Sequence, residues 1–295
     1  MPLLSVLISV YNSEKYIGEC ISSVLDQSFR DFELVIVNDG STDSTLDILN
    51  SFTDSRIRIF SKINSGLIDS LNYGISLCQC ELIARLDADD VCVFNRFEVQ
   101  LDNFHPNDII VGSNAFLIND KSHVYGVTSF PLNNDDILRS LQRLDNCIIH
   151  PSVIFKKSKL LVAGGFSHDA LHAEDFDLWL RMASLGEIKI INEPLIYLRK
   201  HNNNISRLNT RVQLISSFKS LMNFKLQLNS RKLCFDIAKF DSFCNSNIFN
   251  ILVYLVLENE KLNRFNLLHF PIKVFVRSLI KGIKRILMFK LDRLL

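Results

Sequence analysis

"LLSVLISVYNSEKYIGECISSVLDQSFRDFELVIVNDGSTDST" (Leu3–Thr45) holds two short apolar runs on either side of an amphipathic one. Leu3–Val10 is unbroken and rich in β-branched residues, so it reads as a buried strand. In the next segment Ser13 stands where an N-cap belongs. Tyr16, Ile17, Ile21, Val24 and Leu25 then recur at helical spacing. Phe32–Val37 is a second strand, closed by the polar turn "NDGSTDST". Strand, helix, strand within 37 residues predicts parallel pairing through a crossover helix.

The pattern continues outward. A helix is expected over Thr45–Phe52, capped by Asp43 or Ser44, then a strand over Arg56–Phe60, a helix over Gly66–Cys78 and a strand over Glu81–Leu86. The result is a Rossmann-like, mostly parallel α/β sheet, whose ligands bind at the carboxyl ends of the strands. Further on, "DIIVGSNAFLI" and "CIIHPSVIFKKSKL" read as strands, "EDFDLWLRMASLG" as a helix and "IKIINEPLIYLRKH" as a last strand. From about Arg207 the pattern becomes helical, and Gly282 is the only glycine after Gly186.

Bulk composition fits a packed globular chain: 295 residues, 47% hydrophobic and 22% charged. The seven cysteines form no C-x-x-C pair, and they read as small buried hydrophobes of a reducing compartment. The N-terminal apolar run lacks a basic leader and a cleavage site, which favours a first core strand over a signal peptide. The late apolar run "IFNILVYLVL" is about half the ~20 residues that a membrane-spanning helix needs. Charge is unevenly spread. Residues 271–295 carry seven Lys/Arg against one Asp, while the preceding 270 carry 26 basic and 31 acidic groups.

Three expected strand ends share one rim. They carry Ser9 to Asn12, Asn38 to Ser41, and the carboxylates Asp87, Asp89 and Asp90. A planar base can stack on Tyr11, and Asp39 can accept from a ring N–H. Three carboxylates in four positions call for a cation, and hard oxygen ligands suit Mg²⁺ or Mn²⁺ bridging two phosphates. Neither G-x-G-x-x-G nor G-x-x-x-x-G-K-[ST] occurs, so this is a nucleotide-diphosphate site without a phosphate loop.

The same stretches, together with "INSGLIDSLNYGI", "LIARLDADD", "HPSVIF", "AGGF", "EDFDLWLRMASLG" and "YLRKHNNNIS", closely resemble family 2 glycosyltransferases, inverting enzymes of the GT-A fold. The resemblance covers about the first 207 residues. It implies a GT-A domain over 1–207 and a helical C-terminal region over 208–295. It also implies nucleoside binding by Ser9, Tyr11 and Asp39, with Asp87 near the ribose or a metal-bound water. Asp89 and His201 would hold Mn²⁺ or Mg²⁺, and Asp175 would be the general base. Arg85, His150, Glu174, Trp179 and Arg199 are candidate donor or acceptor contacts, with Trp179 weighed as a sugar platform or a core residue. The family's Tyr-Arg-x-His here reads Tyr197-Leu198-Arg199-Lys200-His201, which displaces Tyr197 by one and leaves it without a role.

The implied reaction suits these residues. Inversion at the anomeric carbon is one in-line displacement, and it needs a base opposite the leaving diphosphate. A carboxylate opening a helix is favoured in its charged form by the dipole. The expected donor is a UDP-hexose or UDP-N-acetylhexosamine, and the product linkage β. The expected acceptor is a polyprenyl-diphosphate-linked O-antigen, capsule or lipooligosaccharide intermediate.

The tail "IKVFVRSLIKGIKRILMFKLDRLL" reads as a basic amphipathic helix that either lies on an anionic membrane surface or packs on its own domain. The first option places the protein in the cytoplasm, peripheral on the inner face of the inner membrane. An acidic body without a binding motif argues against nucleic acid as a partner. Two other readings are weaker. A metal-dependent phosphohydrolase would carry a nucleophilic Asp after the first strand, where this chain has "VYNSEK". A catalytically inactive nucleotide-sugar-binding or assembly protein would be expected to have lost the base or a metal ligand, yet Asp89, Asp175 and His201 are present.

Overall fold

Successive positions of β1 (Leu4–Val10) and β2 (Phe32–Asn38) are apolar because helices cover both faces of these strands. The computed structural model describes residues 2–201 and 210–228. Between and after the first two strands come α1 (Ile17–Leu25), α2 (Thr45–Ser51), β3 (Ile57–Ser61), α3 (Leu67–Leu77), β4 (Leu82–Asp87), β5 (Val91–Cys92) and α4 (Arg96–Asp102). The second half adds β6 (Asp108–Ile118), β7 (Val124–Val127), α5 (Asn134–Leu141), β8 (Ile154–Lys156), α6 (Lys157–Val162), α7 (Glu174–Met182), β9 (Glu187–Arg199) and α8 (Thr210–Leu228).

The strands form one sheet in the order β3-β2-β1-β4-β8-β6-β9-β5, with β7 paired to β6. Pairings among β1 to β4 are parallel, as is β6 with β9; β5, β7 and β8 run against their neighbours. Alternation along β1 divides the core. Val6 and Ile8 pack with Ile17 and Val24 of α1 and Phe97 of α4 on one face. Leu7 packs on the other face with Leu71 of α3, in a core that also holds Trp179 of α7 and Leu221 and Phe224 of α8. Cys20, Cys78, Cys80, Cys92 and Cys147 are buried free thiols.

Two local expectations are corrected. Ser13 does not cap α1: the chain makes a turn in which Tyr16 and Ile17 N–H donate to Ser13 O at 3.0 Å, and the Ser13 hydroxyl donates to Tyr11 O. "CIIHPSVIFKKSKL" is not one strand. Its proline opens a 3-10 turn over His150–Ser152, the strand is three residues long, and helix α6 follows. The basic amphipathic tail and the rest of the C-terminal region beyond Leu228 lie outside the described residues.

Candidate active site

The parallel register brings the rim together. Ser9 lies opposite Asp87 of β4 on one side and Val37 of β2 on the other. The loops leaving β1 and β2 are stitched by hydrogen bonds. Thr42 N–H donates to Asn12 Oδ1 (2.8 Å), Ser13 N–H to Thr45 Oγ1 (2.8 Å), and Ser44 N–H to Glu14 Oε2 (2.9 Å). Much of the "YNSEK…STDST" signature therefore shapes the rim, with Asn12 held at a φ of 47°. Tyr11 stands half exposed above it.

Asp39 is buried beside this loop pair. Its carboxylate accepts the N–H groups of Ser65 and Gly66, each at 2.9 Å, and pairs with the Lys62 ammonium. Burial opposes the charge, but these donors outweigh it and hold the carboxyl below its ordinary range. Gly40 next to it has a φ of 70°, and a Cβ there would meet Asn64 N at 2.8 Å, so the close approach of the Lys62–Gly66 loop requires glycine.

β4 ends in the acidic cluster. One carboxylate oxygen from each of Asp87, Asp89 and Asp90 lies within 4.8 Å of the others. Asp90 is buried; its Oδ1 accepts Arg199 N–H at 2.7 Å, while Oδ2 meets no partner among the described residues. Burial first, then the charges of Asp89 and Asp87, push the Asp90 carboxyl well up. An orphaned buried oxygen beside two more carboxylates fits a divalent cation, whose charge offsets the repulsion and whose preference is for hard oxygen. Asp90 belongs to this cluster as fully as Asp87 and Asp89, although no separate role was expected of it. His201 closes the site, with Nε2 2.9 Å from Asp89 Oδ2 and its ring stacked on Tyr16 at 5.7 Å.

The predicted base stands at the start of α7. Asp175 Oδ1 accepts Phe176 N–H (2.7 Å) and Oδ2 accepts Asn146 Nδ2–H (2.9 Å). Burial raises its pKa, those donors lower it, and the charge of Asp87 adds to the rise, which places Asp175 in the electrostatic neighbourhood of the acidic cluster. Beside it, burial, then the charge of Asp175, pushes Glu174 up to about 7.

Three of the candidate contacts, Trp179, Arg85 and Arg199, are buried. Trp179 is fully buried, so it is a core residue and no sugar platform. Arg199 is buried and spends its guanidinium on Glu19 Oε2 (2.7 Å), Asp89 O (2.7 Å), Ser122 Oγ (2.9 Å) and the face of Tyr16. It braces the rim. Arg85 is also buried, beneath the cluster, with Nη1 2.5 Å from Asp87 Oδ1. His150 packs edge-on to Trp179 at 5.8 Å; burial, then the charge of Arg85, pulls its pKa well below the ordinary range, so the ring is neutral. A separate cavity of about 440 Å³ lies at the opposite end of the sheet, where β6 and β9 begin, lined by Asn103, Asp108, Asn133 and Glu187.

Comparison with known proteins agrees with this geometry. The family model described as glycosyl transferase family 2 matches residues 5–161. The chain is 33% identical over 211 residues to the Escherichia coli O-antigen biosynthesis glycosyltransferase WbnJ, a match covering 68% of this chain and 81% of that protein. Among solved structures, Staphylococcus aureus TarS 1–349 in complex with UDP-GlcNAc superposes with a TM-score of 0.61 at 18% identity, over 96% of this chain and 81% of that one. The mannosyltransferase PcManGT from Pyrobaculum calidifontis, in complex with GDP-Man and Mn²⁺, gives 0.59 at 15% identity, over 99% and 88%. At these identities the structural likeness establishes the GT-A fold.

Proposed function

The chain belongs to glycosyl transferase family 2, and from that premise we propose that it moves a hexose or N-acetylhexosamine from a UDP-sugar to a lipid-linked glycan, forming a β-linkage. The observation that carries the proposal is the meeting of Asp87, Asp89 and Asp90 within 4.8 Å, with His201 against Asp89, on the rim where β1 and β2 also end. Such a rim suits a nucleoside diphosphate held by its base at one end and its phosphates at the other. Tyr11 offers a half-exposed ring to the base. Asp39 already accepts from Lys62, Ser65 and Gly66, but a carboxylate has about four lone-pair sites, so a ring N–H can join them.

Asp89, with Asp87 and Asp90 beside it and His201 against it, would hold the divalent ion. Such an ion neutralises charge growing on the leaving diphosphate. The chain's own groups do the rest. An acceptor hydroxyl oxygen bonds to the anomeric carbon from the side opposite the diphosphate. The bond from that carbon to the diphosphate oxygen breaks with its electron pair, and the hydroxyl proton passes to the Asp175 carboxylate. Positioning such a base contributes about 10²–10⁴ in rate.

The lipid-linked acceptor is supported by the O-antigen relative and by the basic tail. In this reading the protein is peripheral on the cytoplasmic face of the membrane, held there by the basic sequence of residues 271–295. No described helix is long and apolar enough to cross a membrane.

The experiment is UDP release from a panel of UDP-sugars with Mn²⁺, with and without a synthetic lipid-diphosphate-GlcNAc acceptor. Release that needs one UDP-sugar, the metal and the lipid acceptor is the expected result. Transfer from GDP-sugars alone, or equal release without acceptor, would overturn it.

A further inference from the structure

We propose that Asn146 is a positioning residue for sugar transfer, its amide aiming the Asp175 carboxylate at the acceptor hydroxyl and so dividing the roles of two adjacent carboxyls, Asp175 and Glu174. The proposal rests on Asp175 being the base. Asn146 lies in the loop between α5 and the His150 turn, 29 residues from Asp175 in sequence. Nδ2 donates to Asp175 Oδ2 at 2.9 Å, and Oδ1 accepts Ile148 N–H at 3.3 Å. With the carbonyl end of the amide engaged by its own loop, the donor end faces the carboxylate.

The support is rigid. Cys147 and Ile148 are buried in the core that contains α7, and Asp145 N–H donates to Ser140 O at 3.0 Å. Leu144 takes a φ of 60° to make the turn, a conformation that side chains rarely adopt. The loop is therefore pinned on both sides of Asn146, as a group that must aim another group requires.

The chemistry gives Asn146 a task. A base must be ionised before it can take a proton, yet Asp175 is partly buried next to Glu174. The charged groups facing the pair from β4 are Asp87, which opposes ionisation, and Arg85, which favours it. Asp175 has two further donors, Asn146 and Phe176 N–H, whereas no side-chain donor reaches Glu174 among the described hydrogen bonds. Burial pushes both carboxyls up, and neighbouring carboxyls that differ in their donors commonly titrate apart. Asp175, with the two extra donors, then acts as the carboxylate, and Glu174 keeps its proton below about pH 7.

The test uses the full chain with its UDP-sugar and lipid acceptor. Asn146→Ala should lower kcat about 10- to 100-fold. KM for the donor should stay within about twofold, since the base makes no contact with the nucleotide. The acidic limb of the kcat–pH profile should move to higher pH, because the lost donor favoured the ionised form. Asn146→Asp, nearly the same shape without the N–H donor, guards against a folding defect and should show the same loss of kcat. Unchanged kcat in both variants, or kcat and donor affinity falling together with an unmoved pH profile, would overturn the proposal. Asp175→Asn separates the two levels. If that variant still transfers sugar, the base assignment has failed; if it is inactive while both Asn146 variants are normal, only the role of Asn146 has.

Discussion

His201 Nε2 lies 2.9 Å from Asp89 Oδ2, although 112 residues separate the two. The contact brings the chain just beyond β9 onto the acidic cluster at the end of β4. Asp89→Asn should lower kcat about 100-fold or more, because it removes a carboxylate proposed to hold the cation that offsets charge on the leaving diphosphate. His201→Ala should weaken Mn²⁺ about 10- to 100-fold. Mn²⁺ titration followed by EPR, without any donor, checks the second; an unchanged affinity would exclude His201 from the site.

The Tyr16 ring is contacted by the Arg199 guanidinium, 4.5 Å from its centre, by the Lys15 ammonium at 4.8 Å and by the His201 ring at 5.7 Å. A cation over an aromatic face contributes about 0.5–2 kcal/mol depending on exposure. Tyr16→Phe keeps both faces and should leave transfer within about twofold. Tyr16→Ala frees His201 to swing, and the Mn²⁺ concentration at half-maximal rate should rise about tenfold. Equal behaviour of the two variants would show that the ring does not hold the imidazole.

Glu174 has its pKa raised from 4.5 to about 7. As pH rises between those values, the unfolded chain gives up this proton while the folded chain keeps it. The stabilisation is complete below about 4.5 and lost as pH passes about 7, a difference on the order of 3 kcal/mol. Glu174→Gln cannot titrate, so urea unfolding at pH 5 and pH 8 should show a smaller loss of stability in the variant. Identical losses would mean that Glu174 ionises freely in the folded protein.

Gly74 of α3 faces the sheet so closely that a Cβ would come within 2.3 Å of Leu7 Cδ1 and 3.1 Å of Val37 Cγ2. Alanine is a better helix former than glycine by about 1 kcal/mol. Overpacking costs about 1–3 kcal/mol, and Leu7, fully buried, has nowhere to move. Gly74→Ala should therefore destabilise on balance, read as a lower urea midpoint with an unchanged m-value. A raised midpoint would mean that α3 can lift away from the sheet.

Period was legible and depth was not. The run Asp108–Ile118 read as a strand is β6 over the same residues. "CIIHPSVIFKKSKL" misled as one strand, since an apolar run around a proline can begin as a turn. Trp179 follows Asp175 by four residues on the same helical face, but four residues rise about 6 Å, enough to carry it from the rim into the core. Arg199 and His201 share a spacing of two, which puts them together only while a strand continues. β9 ends at Arg199, so one side chain turns inward to Glu19 and the other reaches Asp89. Asn146 gave no signal, because a loop contact across 29 residues leaves no periodicity.

The order of apolar runs by itself indicated that β1, β2 and β4 run parallel, and hence that Tyr11, Asp39 and Asp87–Asp90 share an edge; their adjacency, with β1 between β2 and β4, came from the structure. Burial of backbone and alternating side chains admits few other solutions. Only the tertiary structure decided which charged groups face the cleft and which are consumed in bracing it. Arg85, Asp90 and Arg199 are distinguished by contacts a few ångströms long between segments distant in the chain, and local pattern carries no record of those.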